Sequence, residues 1–188
     1  KMVSYDKKIN TLFLNWLVLS LLLIFIMIIV GGLTRLTNSG LSITEWELFR
    51  GIFPPFTNSD WQIYFNLYKE IPQFKLINPL MTLEEFKIIF YWEYGHRILG
   101  RLIGLFILIP LIFFQFCKKI KFKILIPSYI VFFLVLVQGT VGWYMVQSGL
   151  VNDVTVSHYR LSLHLTLAIL IISIIFWQIL NFKNDKLK

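Results

Sequence analysis

Apolar residues run without a charge from Ile9 to Thr34, and three later stretches repeat the pattern: Leu102 to Cys117, Ile124 to Asn152 and Leu161 to Phe182. Crossing a hydrocarbon layer of about 30 Å takes roughly 20 residues of helix. The second stretch is short, and His96 to Arg101 extends it at one end. The predicted class is all-α: a polytopic membrane four-helix bundle with helices at about 11–33, 83–117, 123–147 and 159–182, and a long segment over 35–82 between the first two. The first stretch is too long, and too poor in a small-residue cleavage position, to be a signal peptide.

The long segment is punctuated by Gly51, Pro54-Pro55 and Pro72, which predicts structure and not a random linker. Thr57-Asn58-Ser59 can cap a short helix from about Asp60 to Glu70 that carries Trp61, Tyr64, Phe65 and Tyr68. Such an aromatic, amphipathic helix suits the membrane surface or the mouth of the bundle better than it suits a lid. Thr82-Leu83-Glu84-Glu85 is a capping box, so the second long helix starts near Leu83. Running to Cys117 it would measure roughly 50 Å, which places its first turns outside the membrane.

Composition agrees: 57% hydrophobic residues and a mean hydropathy of +0.71 lie outside the range of soluble domains. The net charge of +8 invites a nucleic-acid reading. Yet the lysines cluster beside the apolar stretches, at Lys7-Lys8, Lys118 to Lys123 and Lys183 to Lys188, which is the positive-inside pattern. Both termini and the lysine loop are therefore expected in the cytoplasm, and the long segment from Arg35 to about Tyr91, with seven acids up to Glu93 against five bases up to Lys87, on the other side. Cys117 is the single cysteine, so the chain can form no internal disulfide and no cysteine-based zinc site.

Two histidines then stand out. His96 precedes Lys118 by roughly 22 residues and His164 precedes Lys183 by roughly 19, about 33 and 28 Å of helix, so their depths agree within about a turn. Both helices run in the same direction, and ionisable residues at the edge of an apolar span are candidates for function. Axial ligation of one haem iron is a natural use of such a pair. Glu93, His96, Gly100 and Gly104 share a helix face, the glycines leaving room either for a flat macrocycle or for another helix. Arg97, Arg101 and Arg160 flank the histidines and can hold propionates, snorkel to lipid phosphates, or pair with Glu93. Glu93 is a candidate for proton transfer, and equally a helix-end charge. His158 is expected to be solvated, and Trp92, Tyr94, Trp143 and Tyr144 to form an aromatic belt.

These residues carry a resemblance. Gly31-Gly32-Leu33-Thr34-Arg35-Leu36-Thr37-Asn38-Ser39-Gly40-Leu41-Ser42, Trp46, Gly51 before Pro54-Pro55, and Phe90-Tyr91-Trp92-Glu93-Tyr94-Gly95-His96-Arg97-Ile98-Leu99-Gly100-Arg101 follow one another. Then come Gln138-Gly139-Thr140-Val141-Gly142-Trp143-Tyr144-Met145-Val146, Ser148-Gly149-Leu150 and Tyr159-Arg160-Leu161-Ser162-Leu163-His164. In this order they resemble the haem A synthase family, CtaA and Cox15, on its Cox15-like branch.

The resemblance implies oxidation of the C8 methyl of haem O to the formyl group of haem A, for terminal oxidases. It implies Glu93 as the catalytic carboxylate, His96 and His164 as iron ligands, haem b as cofactor and haem O as substrate, with haem O synthase a candidate partner. Family members comprise two similar four-helix halves, so the sequence is expected to be the N-terminal half, acting with a second half or with a second copy of itself. A proteobacterial inner membrane is the favoured location over the mitochondrial one. A b-type membrane cytochrome or haem-delivery module without catalysis remains the alternative. A solute carrier is more distant, since no broken helix is evident.

Overall fold

The computed structural model describes residues 2–45, 50–151 and 153–184. Trp46, Asn152, Lys1, Lys186 and Lys188 lie outside the described residues. Six α-helices follow in order: α1 (Met2–Leu36), α2 (Asn58–Lys69), α3 (Pro72–Leu76), α4 (Leu83–Cys117), α5 (Phe122–Val151) and α6 (His158–Asn184). Four of them, α1, α4, α5 and α6, are long and apolar enough to cross a membrane.

The start of α4 is set locally: Thr82 Oγ1 accepts from the backbone N–H of Glu85, while the Glu85 carboxylate accepts from the N–H of Thr82. Thr57 and Asp60 close the same kind of box on α2, and the Thr57 hydrogen bonds hold the Asp60 carboxyl below the usual range. At the other end of α1, Asn38 adopts a left-handed conformation (φ 53°), and the N–H of Ser39 returns to the Thr34 carbonyl at 3.0 Å. This turn swings the chain back over the bundle.

The long helices form a square. α1 packs on α4 and α6, and α5 packs on the same two, so α4 and α6 occupy diagonal corners. Two buried clusters fill it at different levels. Near the lysine-rich end, Phe13 of α1 meets Phe114 edge-on at 5.0 Å and Phe182 at 4.9 Å, with Ile107, Leu111, Ile171 and Ile175 above them. At the opposite end, Trp61, Phe65 and Tyr68 of α2 pack on Phe86 and Phe90 of α4, and α3 reaches across to α5. The aromatic helix thus lies over the bundle mouth. Burial raises the Tyr68 phenol above the usual tyrosine range, and as a neutral donor it bonds Gln73 Oε1 at 3.0 Å.

Between the two clusters, over residues 25–33, 94–102, 132–148 and 157–167, no side chain is fully buried. All four spanning helices contribute to this loosely filled layer.

Pro110 lies inside α4 and lacks the N–H that would bond the Phe106 carbonyl. The Trp16 indole N–H of α1 supplies the missing donor at 3.0 Å. An unsatisfied carbonyl in an apolar medium is costly, so this bond fixes α1 against α4 where the helix is weakest. Trp16→Phe keeps an aromatic ring, smaller than the indole, and removes the donor. It should lower stability by about 1–2 kcal/mol, read as an earlier unfolding midpoint in detergent with unchanged helix content.

Candidate functional site

Antiparallel packing sets which residues meet. α1 runs against α4 so that Gly31 faces His96: a Cβ at Gly31 would stand 3.1 Å from His96 Nε2. α5 runs against α6 so that Gly142 faces His164, with a Cβ there standing 3.1 Å from His164 Cε1. Each imidazole therefore rests on a glycine of the neighbouring helix. Both lie in the loosely filled layer, on diagonal helices.

Glu93 begins this layer on α4 and is itself buried at 3% exposure. Its Oε2 accepts from Ser42 Oγ at 2.8 Å and from the backbone N–H of Ile43 at 2.9 Å. Its Oε1 accepts from Arg97 Nε at 3.0 Å and Nη2 at 2.6 Å, and Nη2 also donates to the Ile43 carbonyl at 3.0 Å. The Glu93–Arg97 pair thus encloses residue 43, holding both its backbone N–H and its C=O. Charge-assisted bonds of this kind are short and strong, and here they fasten the segment after α1 onto the histidine helix.

The other expected residues are placed as follows. Arg101 lines a small cleft with Arg97, Tyr94, Tyr64 and Phe53 at the outer end of α4. Arg160 donates to the Tyr144 carbonyl at 2.7 Å, its guanidinium 3.9 Å from the centre of the Tyr144 ring. Gly100 lies under Met27 of α1, whose Cε would be 3.3 Å from a Cβ there. No atom comes within 4 Å of such a position at Gly104. His158 is exposed at the start of α6. Sequence reasoning missed Ser42, Ile43, Gly31 and Gly142 as site-forming residues, although Gly31, Ser42 and Gly142 fall within the motifs that carry the resemblance and Ile43 directly follows one of them.

The donor set suits a metal that brings its own equatorial ligands. Among the described residues no three His, Cys, Asp or Glu side chains converge as a metal site, whereas two imidazoles lie at the level of the loosely filled layer. The Nδ1 atom of His164 is buried there without a hydrogen-bond partner. Two glycines, a loosely filled layer and two imidazoles fit a haem.

A family model described as cytochrome oxidase assembly protein matches residues 14–188. The chain is 53% identical over 184 residues to heme A synthase of Pelagibacter ubique, covering 98% of the chain and 54% of that protein. It is 49% identical over 173 residues to heme A synthase of Parvibaculum lavamentivorans, covering 91% and 50%. Against heme A synthase of Rickettsia felis the identity is 46% over 176 residues, covering 94% and 52%. The chain spans about half the length of the curated relatives it matches. No solved structure matches it.

Proposed function

The chain belongs to the COX15-CtaA family of cytochrome oxidase assembly proteins, and from this premise we propose that it forms part of a haem A synthase. The substrate is haem O, whose C8 methyl is oxidised to a formyl group, and the protein lies in a bacterial inner membrane with both termini in the cytoplasm. The observation that carries the reading is the pair of imidazoles on diagonal helices, each seated on a glycine in the one layer without fully buried side chains. His96 and His164 would hold a haem iron through their imidazoles, with haem b as the resident group. Bound haem supplies the redox chemistry. Arg101 and Arg160 supply positive charge for propionates at the outer end, and Gly104 leaves room beside the macrocycle. Arg97 gives its charge to Glu93.

Glu93 and Arg97 hold the Ser42–Ile43 strand of chain over the outer end of the site, which limits water there. Glu93 lies one helical turn from His96, so the same carboxylate is also placed to exchange a proton with a group held in the layer. A b-type cytochrome would need the histidines alone, and the relatives named heme A synthase favour catalysis over that alternative. Deleting the gene in its own host should leave membranes that accumulate haem O and lack haem A. Extracted haems separated by chromatography check this, and undiminished haem A would overturn the proposal.

A further inference from the structure

Gln138 lies on α5, one turn before Gly142 and on the same face. Its Nε2 donates to the backbone carbonyl of His164 at 3.0 Å, so the side chain is already tied to the residue whose imidazole rests on Gly142. Two polar atoms at this contact are buried and without hydrogen-bond partners, Gln138 Oε1 and His164 Nδ1. The first is an acceptor only. The second is a donor in the tautomer that leaves Nε2 bare. Each atom is what the other lacks.

An imidazole that binds a metal through Nε2 carries its proton on Nδ1, and in a water-poor span that N–H needs a fixed acceptor. Arg160, one turn away on α6, offers its side chain only as a donor. The Glu93 carboxylate on the diagonal helix is taken up by Ser42, Ile43 and Arg97. A missing side chain at Gly142 lets the ring turn, since the positions of Cε1, Nδ1 and Nε2 all lie within 3.1–3.8 Å of where a Cβ would stand.

We propose that Gln138 is the positioning residue of His164: its Oε1 accepts the Nδ1–H and so holds the imidazole in the tautomer and direction that present Nε2 to the haem iron. The inference rests on the reading of His164 as a haem ligand. A hydrogen bond to Nδ1–H makes the ligand more basic and stabilises oxidised iron, which lowers the reduction potential.

The test uses three variants of the purified protein, read by haem retention and by spectroelectrochemistry. His164→Ala first identifies the haem that His164 ligates by its altered spectrum; an unaltered spectrum would remove the ligand assignment itself, and this inference with it. With that haem identified, Gln138→Met, similar in length but without a strong acceptor, should raise its potential and weaken its retention roughly 10–100-fold. Gln138→Glu offers a stronger acceptor and should lower the potential below that of the unaltered protein. Both variants lose the amide donor to the His164 carbonyl, so a purely structural tie would move them alike or leave the potential unchanged. Shifts of the same sign, or none, would overturn the proposal.

Discussion

His96→Ala and His164→Ala should each convert a six-coordinate, bis-imidazole haem spectrum into that of a five-coordinate or haem-depleted protein. Removing one hydrogen bond that supports a metal-ligating histidine costs roughly 10–100-fold in affinity, so loss of the ligand itself should exceed that range. The fold should survive. Each imidazole rests on a glycine and is only partly buried, with the Phe13–Phe114–Phe182 cluster well below it and the Trp61–Phe86–Phe90 cluster above. Circular dichroism should therefore show unchanged helix content while absorption spectroscopy and haem extraction show the loss. Unchanged haem content and spectrum in both variants would remove the ligand assignment.

Glu93→Gln should release the segment that follows α1. The carboxylate is buried, and with the neighbouring guanidinium it satisfies Ser42 Oγ and both backbone groups of Ile43. Neutralising one member of a buried ion pair leaves the other uncompensated, which costs about 3–5 kcal/mol, whereas an exposed i,i+4 pair is worth about 0.3–0.5 kcal/mol. The Arg97 side chain is 17% exposed, so the lower end of the buried range applies. At 1.4 kcal/mol per tenfold, about 3 kcal/mol corresponds to roughly a hundredfold faster exchange of the Ile43 amide.

The double variant Glu93→Gln with Arg97→Gln should be less destabilised than the sum of the single ones, because it leaves no uncompensated charge. The proposed haem A formation should fall in either account of Glu93, so amide exchange is the deciding measurement. A purely proton-relaying Glu93 would leave the Ile43 amide as protected as before.

The long-period features of this chain are legible because they are local. Four apolar runs of membrane length predict four spanning helices, and Thr82 with Glu85 marks the start of α4 by a reciprocal bond within four residues. α3 is less legible, since Pro72 reads as a break, yet proline at the first turn of a helix loses no hydrogen bond. The Glu93–Arg97 pairing is visible as an i,i+4 spacing, but its grip on residue 43 is not. That partner is backbone, which carries no side-chain signature, and it lies about 50 residues away in the chain.

Gly31 and Gly142 belong to the quoted motifs, but which glycine meets which imidazole depends on the register of two antiparallel helix pairs. Tyr144 reads as part of an interfacial belt, and its carbonyl and ring also brace Arg160. These contacts arise only once the helices have docked.

α4 and α6 stand at opposite corners and pack on α1 and α5, not mainly on each other. A square of rods joined only along its sides resists compression but shears easily into a rhombus. A rigid plate held by one imidazole from each of these corners would act as a diagonal strut, and the layer it would occupy is the one without fully buried side chains. Loading would then stiffen the whole frame, and the free energy of binding would be shared with assembly of the bundle.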